Sequence, residues 1–103
     1  MAFTGKILAE GQLPNAKGTL YTAPATAYVR FFRCLNTGGG SETVIVYYKK
    51  ATSRQLGRAV LATLESADFI DGEVLVLDTG DLIEGQTTSA TTVDFVIAGA
   101  EQS

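Results

Sequence analysis

The sequence predicts an all-β protein: a single antiparallel β-sandwich of about eight strands, immunoglobulin-like or jelly-roll-like. Short segments rich in Val, Ile, Phe, Tyr and Thr recur along residues 27–98, and glycine-containing turns separate them. No segment shows the sustained apolar spacing of a long amphipathic helix. Many short strands without a long helix are typical of sandwiches and barrels, so we expect two packed sheets around one core.

Length and composition favour one globular domain, residues 1–103. The chain has 103 residues, of which 46% are hydrophobic and 18% charged, a balance that suits a packed core. The 11 acidic and 8 basic residues give a net charge of −3. Proteins that bind nucleic acid through their overall field are positively charged, so we expect no nucleic-acid partner.

The N-terminal segment, residues 1–13, allows two interpretations. It begins without the basic and apolar regions of a secretory signal, and the chain has no apolar run of the roughly 20 residues that a membrane span needs. We therefore expect no membrane partner. The apolar residues of the segment are too irregularly spaced for one clear strand face, so it is either an arm that reaches a neighbouring subunit or an edge strand of its own sandwich. They are Phe3, Ile7, Leu8 and Leu13.

Two strands are predicted in the first half of the chain. Pro14 and Gly18 mark an irregular loop between short apolar pieces. Pro24 restricts the residue before it to an extended conformation and leads into the first strong strand, 27–35. Three consecutive glycines then form a flexible connection to a Val- and Tyr-rich strand, 43–48. The glycines are not followed by the Lys and helix of a phosphate-binding loop.

Both of these strands are mostly apolar on their two faces, whereas a half-buried strand is expected to have one polar face. The outer face should therefore be covered, either by another segment of this chain or by a second subunit. We place Phe32 in the interior, in the same alternation as Tyr28, Arg30 and Cys34. Cys34 is expected to be a small buried residue without a disulfide partner. The residues assigned to the interface are Phe3, Ile7, Leu8, Phe31, Ile45 and Tyr47.

Residues 51–66 are ambiguous. Leu56, Val60 and Leu64 recur at helical spacing, which allows one short helix. We favour two short strands broken near Gly57, because the surrounding elements are all β.

Turn signals divide the last part of the chain. Asp71 and Gly72 predict a tight hairpin turn between strands 67–70 and 74–77. A second turn is predicted at 78–81. The remaining elements are a strand at Leu82–Glu84, the polar loop 87–92, and a last strand in which Val93, Phe95 and Ile97 alternate with Asp94.

One motif is shared with enzymes. Asp78-Thr79-Gly80 follows a hydrophobic run, as the corresponding tripeptide does in aspartic proteases, where two aspartates share a proton and activate water. Only 23 residues follow Gly80, too few for the flap and the later buttressing segment of such enzymes. We interpret these residues as a turn in which glycine supplies a positive φ.

The rest of the sequence contains few residues of the types that catalyse reactions. It has no His and one Cys, so it lacks a His-assisted nucleophile and a His-containing metal site. Acidic residues gather between 68 and 84, but without the spacing of a calcium-binding loop. We therefore predict no enzyme activity, no catalytic or metal-binding residue and no cofactor.

Five segments resemble a recurrent small β-sandwich module of tailed bacteriophage virions. They are Leu20-Tyr21-Thr22-Ala23-Pro24, the strand that ends at Asn36-Thr37-Gly38, the Val- and Tyr-rich strand after it, the segment 77–85 and the terminal segment 93–101. Their order and spacing carry the resemblance, which covers nearly the whole chain. Members of this group are capsid decoration or cement proteins, head fibres, and parts of tails, and they are usually symmetric oligomers.

The resemblance implies a non-enzymatic structural protein of the virion, assembled in the cytoplasm of a bacterial host. We expect a decoration or cement protein that binds the head surface. Its expected partners are other copies of itself and other virion proteins, foremost the major capsid protein. The alternatives are a tail, adaptor or fibre component, or a sandwich that binds carbohydrate or a cell surface.

Overall fold

Eight β-strands account for most of the chain in the computed structural model, which describes residues 3–102. No helix occurs within these residues, so the predicted all-β fold is confirmed. The strands are β1 (Phe3–Gln12), β2 (Gly18–Thr22), β3 (Ala27–Asn36), β4 (Glu42–Lys49), β5 (Ser53–Leu61), β6 (Ser66–Leu77), β7 (Leu82–Gln86) and β8 (Val93–Gln102).

The strands form two antiparallel sheets. Sheet A has the order β1-β8-β3-β6, and sheet B has the order β2-β7-β4-β5. The first strand therefore pairs with the last, the second with the seventh, the third with the sixth and the fourth with the fifth. This nested pairing is that of a jelly roll. It decides between the two sandwich types that the sequence left open.

The core lies between the two sheets and is almost entirely apolar. Phe32 and Cys34 are both fully buried, as predicted, and the Phe32 ring lies 5.8 Å from that of Phe69 between ring centroids. The predicted alternation of the last strand is also confirmed. Val93, Phe95 and Ile97 all face the core.

A β-bulge at Arg30 changes the inward face of β3. Ala27 and Val29 are buried before it, and Phe32 and Cys34 after it. The single alternation predicted for this strand, with Tyr28 and Arg30 in phase with Phe32, is therefore wrong. Part of the two-faced apolar pattern of the sequence reflects this change of face.

The predicted hairpin turn at Asp71 and Gly72 is also wrong, because β6 continues through both residues. Its register on β3 passes from Phe31–Asp71 to Val29–Leu75, which leaves residues 72–74 in a bulge. Gly72 has φ of +80°, a conformation that glycine adopts without steric cost. An Asp-Gly pair supplies a bulge as readily as a turn.

Residues 51–66 contain neither a helix nor two strands. One strand, β5, covers most of this range and has a bulge at Leu56, between the pairs Tyr47–Gln55 and Val46–Gly57. A Cβ on Gly57 would lie 2.6 Å from Cδ1 of Phe69. Glycine at this position thus leaves room for an aromatic ring, and it does not break the strand.

The predicted turn at 78–81 is present and carries the chain from sheet A to sheet B. The Asp81 N–H donates a hydrogen bond to the Asp78 carbonyl at 3.0 Å, and Gly80 has φ of +90°. The polar loop 87–92 likewise joins β7 to β8, as expected.

Candidate functional site

The outer face of sheet A carries a continuous group of apolar side chains, here called the apolar patch. In one row, Gly5 of β1, Ala100 of β8, Tyr28 of β3 and Val76 of β6 are cross-strand neighbours. The next row contains Ile7, Ala98 and Phe31. We define the patch as Phe3, Ile7, Tyr28, Phe31, Val76, Ala98 and Ala100.

Small residues in the middle of the patch let the larger ones spread over them. Gly5 and Ala100 are neighbours between Phe3 and Tyr28, and the two rings stack with their centroids 4.5 Å apart. Phe3 is 42% exposed, Ile7 55% and Val76 44%. No other segment of residues 3–102 covers these side chains, so the patch is available for a partner.

A charged pair borders the patch. The Nε atom of Arg33 lies 2.6 Å from Oδ1 of Asp68, and its guanidinium group lies 4.9 Å from the centroid of the Phe31 ring. The hydrogen bond from Arg33 holds the pKa of Asp68 below its ordinary value. Beyond Arg33, a shallow cavity of about 190 Å³ is lined by Leu35 and Val96 among others.

The six residues predicted to form an interface lie in three different places. Phe3, Ile7 and Phe31 belong to the patch. Leu8 packs against the core, because a bulge between the pairs Ile7–Ala98 and Ala9–Ile97 turns it away from the outer face. Ile45 and Tyr47 lie on the outer face of sheet B.

The outer face of sheet B is partly covered by the chain's own side chains. Lys17 places its Nζ atom 4.3 Å from the centroid of the Tyr47 ring. Ile45 has the polar residues Arg58 and Gln86 as its cross-strand neighbours. On sheet B, the chain's own side chains thus provide part of the cover that the sequence predicts for the outer face. Sheet A carries the larger exposed apolar surface.

One end of the sandwich is closed by Glu42, which sequence reasoning missed. Its Oε1 atom accepts hydrogen bonds from the Ser89 N–H at 2.8 Å, the Thr92 hydroxyl at 2.9 Å and the Thr87 hydroxyl at 3.2 Å. Burial alone would raise the pKa of Glu42, but these hydrogen bonds lower it. The carboxylate therefore fixes loop 87–92.

Asn36 ties the neighbouring loops together at the same end. It donates hydrogen bonds to the carbonyl groups of Gly40, at 2.7 Å, and Leu61, at 2.9 Å, and accepts one from the Gly38 N–H. Every buried side-chain nitrogen and oxygen of the described residues has a partner. These polar groups are already satisfied by the fold, which gives them a structural role.

Glu101 joins three strands at the other side of the sandwich. It accepts a hydrogen bond from the Tyr21 hydroxyl of β2 and lies 2.6 Å from Nζ of Lys6 of β1. The hydrogen bonds from Lys6 and Tyr21 lower the pKa of Glu101, while burial and the hydrogen bond raise the pKa of Tyr21. This cluster ties β1 and β8 of sheet A to β2 of sheet B.

The Asp-Thr-Gly motif is built as a turn with paired carboxylates. Lys50 places Nζ 2.6 Å from Oδ2 of Asp81 and 3.4 Å from Oδ2 of Asp78. The Asp78 N–H donates a hydrogen bond to the Asp81 carboxylate at 2.9 Å. Within residues 3–102 no group of three or more His, Cys, Asp or Glu side chains is placed to hold a metal ion.

Charge is divided unevenly along the chain, a signal that composition alone does not reveal. Residues 1–58 contain all 8 basic residues and only two of the 11 acidic ones, and residues 59–103 contain the other nine. Strand pairing brings the two parts together, so that every salt bridge found among the described residues joins one to the other. These bridges are Lys6–Glu101, Arg33–Asp68, Lys50–Asp78 and Lys50–Asp81.

Of the comparisons with known proteins, the one with solved structures gives a match. No family model matches the chain. No curated protein matches it either. Among solved structures, it is similar to one described as "Bacillus endospore appendages form a novel family of disulfide-linked pili", with a TM-score of 0.55 and 16% identity. That match covers 97% of this chain and 89% of the other. At this identity the likeness shows the shared fold.

The described residues contain no helix that is long and apolar enough to cross a membrane.

Proposed function

We propose that this chain is a non-enzymatic structural subunit of a tailed bacteriophage particle, a decoration or cement protein that binds the head surface through the apolar patch. The observation that carries the proposal is the patch itself, an apolar sheet face that no other described segment covers. The ordered segments that resemble phage virion modules supply the identity of the particle. The major capsid protein is then the partner, and the virion is the location.

Patch size and copy number together explain how such a protein would act. Monomeric proteins rarely expose an apolar patch that spans several strands. Such a patch usually marks an interaction surface. A decoration protein has many copies on one lattice, so that modest contacts through each patch add up to a strong combined effect. The stacked rings of Phe3 and Tyr28, which lie over small residues, give the patch a shape that suits contact with a broad surface.

A tail, adaptor or fibre component is the second candidate. The likeness to a structure described as disulfide-linked pili favours it, because a pilus is a fibre and the two chains share a fold. The disulfide links named for those pili have no counterpart at Cys34, which is fully buried and whose pKa is raised to about 12 by that burial. A fibre of this chain would depend on surface contacts.

The test removes the protein from the particle. The coding sequence is deleted from the phage that carries it, and the resulting particles are imaged. These particles should lack a feature of the head surface. A truncated or missing tail would select the second candidate. Particles that look and infect like the wild type would refute a role in the virion.

A matched pair of variants tests the patch. Purified Ile7→Asp protein should fail to rebind particles that lack the protein, because a carboxylate would be buried in the contact. Ala16→Asp is the control, since Ala16 is exposed in the β1–β2 loop, away from the patch. Equal rebinding by both variants would show that the patch is not the contact surface.

A further inference from the structure

We infer that a second copy of this chain docks on the side of the sandwich formed by β5 and β6, with β5 of each copy paired to β6 of the other. The inference deepens the proposed function by naming one partner in the assembly. It depends on the open edges of β5 and β6, and Val76 is the only patch residue that lies on either strand. The two proposals can therefore fail separately.

The open edges of β5 and β6 lie on the same side of the molecule. Among the described strands, β5 is the outer strand of sheet B and pairs only with β4, while β6 is the outer strand of sheet A and pairs only with β3. The short connection 62–65 joins them. Each strand leaves the backbone groups of its outer side without a strand partner, and such edges readily accept another strand.

The two edges carry opposite charge. β5 contains Arg54 and Arg58 and no acidic residue, and β6 contains Asp68, Asp71 and Glu73 and no basic residue. Of these five side chains, which are all exposed, only Asp68 forms a salt bridge within the described residues, with Arg33. Arg54, Arg58 and Glu73 thus present unneutralised charge at the rim of this side.

A two-fold axis parallel to the strands matches these edges. Rotation about such an axis, placed beside β5 and β6, brings β5 of one copy next to β6 of the other without changing its strand direction. Consecutive strands joined by a short connection run in opposite directions, so the new pairing is antiparallel. Both sheets then continue across the interface into two sheets of eight strands, and the same contact occurs twice.

The positions along the strands agree as well. A rotation about this axis leaves each residue at its own height, and the contact of Gly57 with the Phe69 ring shows which residues of β5 and β6 share a height. Arg58 is then level with the segment that contains Asp68 of the second copy. Arg54, four residues earlier, is level with the segment that contains Asp71 and Glu73.

Charge also argues against the alternative arrangements. An axis perpendicular to the sheets would pair β5 with β5 and β6 with β6, which places like charges opposite each other. On the other side of the sandwich, β1 has one basic and one acidic residue and β2 has neither, so that side has no such complementarity. Val60 and Val74, 61% and 47% exposed, lie on the β5 and β6 edges and would add apolar contact.

The test reverses the charge of one edge at a time. Arg54→Glu with Arg58→Glu makes both edges acidic, and Asp71→Lys with Glu73→Lys makes both basic. Each double variant should be monomeric by light scattering and native mass spectrometry at low ionic strength, where the wild type forms a dimer. An equimolar mixture of the two should form a heterodimer, and the variant that combines all four changes should dimerise again.

Controls separate this contact from general charge effects. Glu10→Lys with Asp94→Lys alters the net charge as much as Asp71→Lys with Glu73→Lys, on β1 and β8 away from these edges, and should leave the dimer intact. Salt should weaken the wild-type dimer, because opposite charges are screened. Circular dichroism confirms that each variant is folded.

Three results would overturn the inference: a monomeric wild type at high micromolar concentration, a dimer that ignores the reversals, or a dimer strengthened by salt. Edge variants that stay monomeric and still rebind particles would show that the dimer is not needed for head binding. Failure of wild-type protein to bind particles, with an intact dimer, would refute only the proposed function.

Discussion

Phe32 and Cys34 lie two positions apart on the inner face of β3, yet their truncation should have very different costs. Both are fully buried, but the Phe32 ring fills a much larger part of the space between the sheets. Replacing a buried Phe by Ala typically costs about 3–5 kcal/mol, a large share of the roughly 5–15 kcal/mol that stabilises a domain. Phe32→Ala should therefore yield little soluble folded protein, whereas Cys34→Ser should fold with a moderately lower midpoint in urea. A Phe32→Ala protein with a wild-type midpoint would contradict this packing.

The neighbouring sequence predicts the structural environment of some residues but not of others. Phe32 and Cys34 could be placed in the core because strong apolar segments are usually buried. The bulge at Arg30 could not be foreseen, because it results from the pairing of β3 with β6. The role of Glu42 was equally hidden, since its partners lie in a loop 45 to 50 residues away along the chain.

Among the elements, β1 gives the sharpest test. It pairs along its length with β8 at the edge of sheet A, and Lys6 binds Glu101 beside Tyr21. Deleting residues 1–10 should lower the thermal midpoint markedly, because β8 loses its outer partner and Glu101 loses its cation. Scanning calorimetry of the truncated protein measures the change, with Thr4→Ala as a mild control. A truncated protein with an unchanged midpoint and weaker assembly would show that the segment acts as an arm.

The sequence predicts the presence of the strands better than the positions at which they end or are interrupted. Strands 27–35 and 43–48 were expected because β-branched and aromatic residues dominate them. The Asp71-Gly72 hairpin and the break near Gly57 were wrong, since glycine serves turns, bulges and close contacts alike. Only the neighbouring strand or ring decides which of these applies, and that information is not local.

For the whole molecule, acid should be the main destabilising condition. The pKa values of Glu42, Asp68, Asp81 and Glu101 are lowered in the folded state by hydrogen bonds. A lowered folded-state pKa stabilises the fold above the ordinary pKa of the group and ceases to do so as the pH falls through the folded value. The free energy of unfolding should thus be steady near neutrality and decline below about pH 4.5. Urea titrations from pH 7 to 3 measure it. Glu42→Gln should flatten the decline, and the exposed control Glu10→Gln should not.

At this scale the sequence predicted the class of fold but not its topology. Strand number and spacing indicate a sandwich, and they fit an immunoglobulin-like order as well as a jelly roll. The difference lies in which distant strands pair. Phe3, Ile7 and Phe31 of the apolar patch are among the residues that the sequence assigns to an interface, an assignment that stays a prediction, whereas Tyr28 and Val76 lie beside them through the sheet register.

The uneven division of charge along the chain has a consequence before folding begins. An unfolded chain with a basic first part and an acidic second part behaves as two oppositely charged blocks that attract each other over long sequence distances. The nested strand order needs contacts between these same two parts, and the entropy of closing such long loops is what makes this kind of topology slow to fold. Attraction between the blocks should compact the denatured state and shorten this search. Added salt, which screens the attraction, should therefore slow refolding as well as weaken the folded protein.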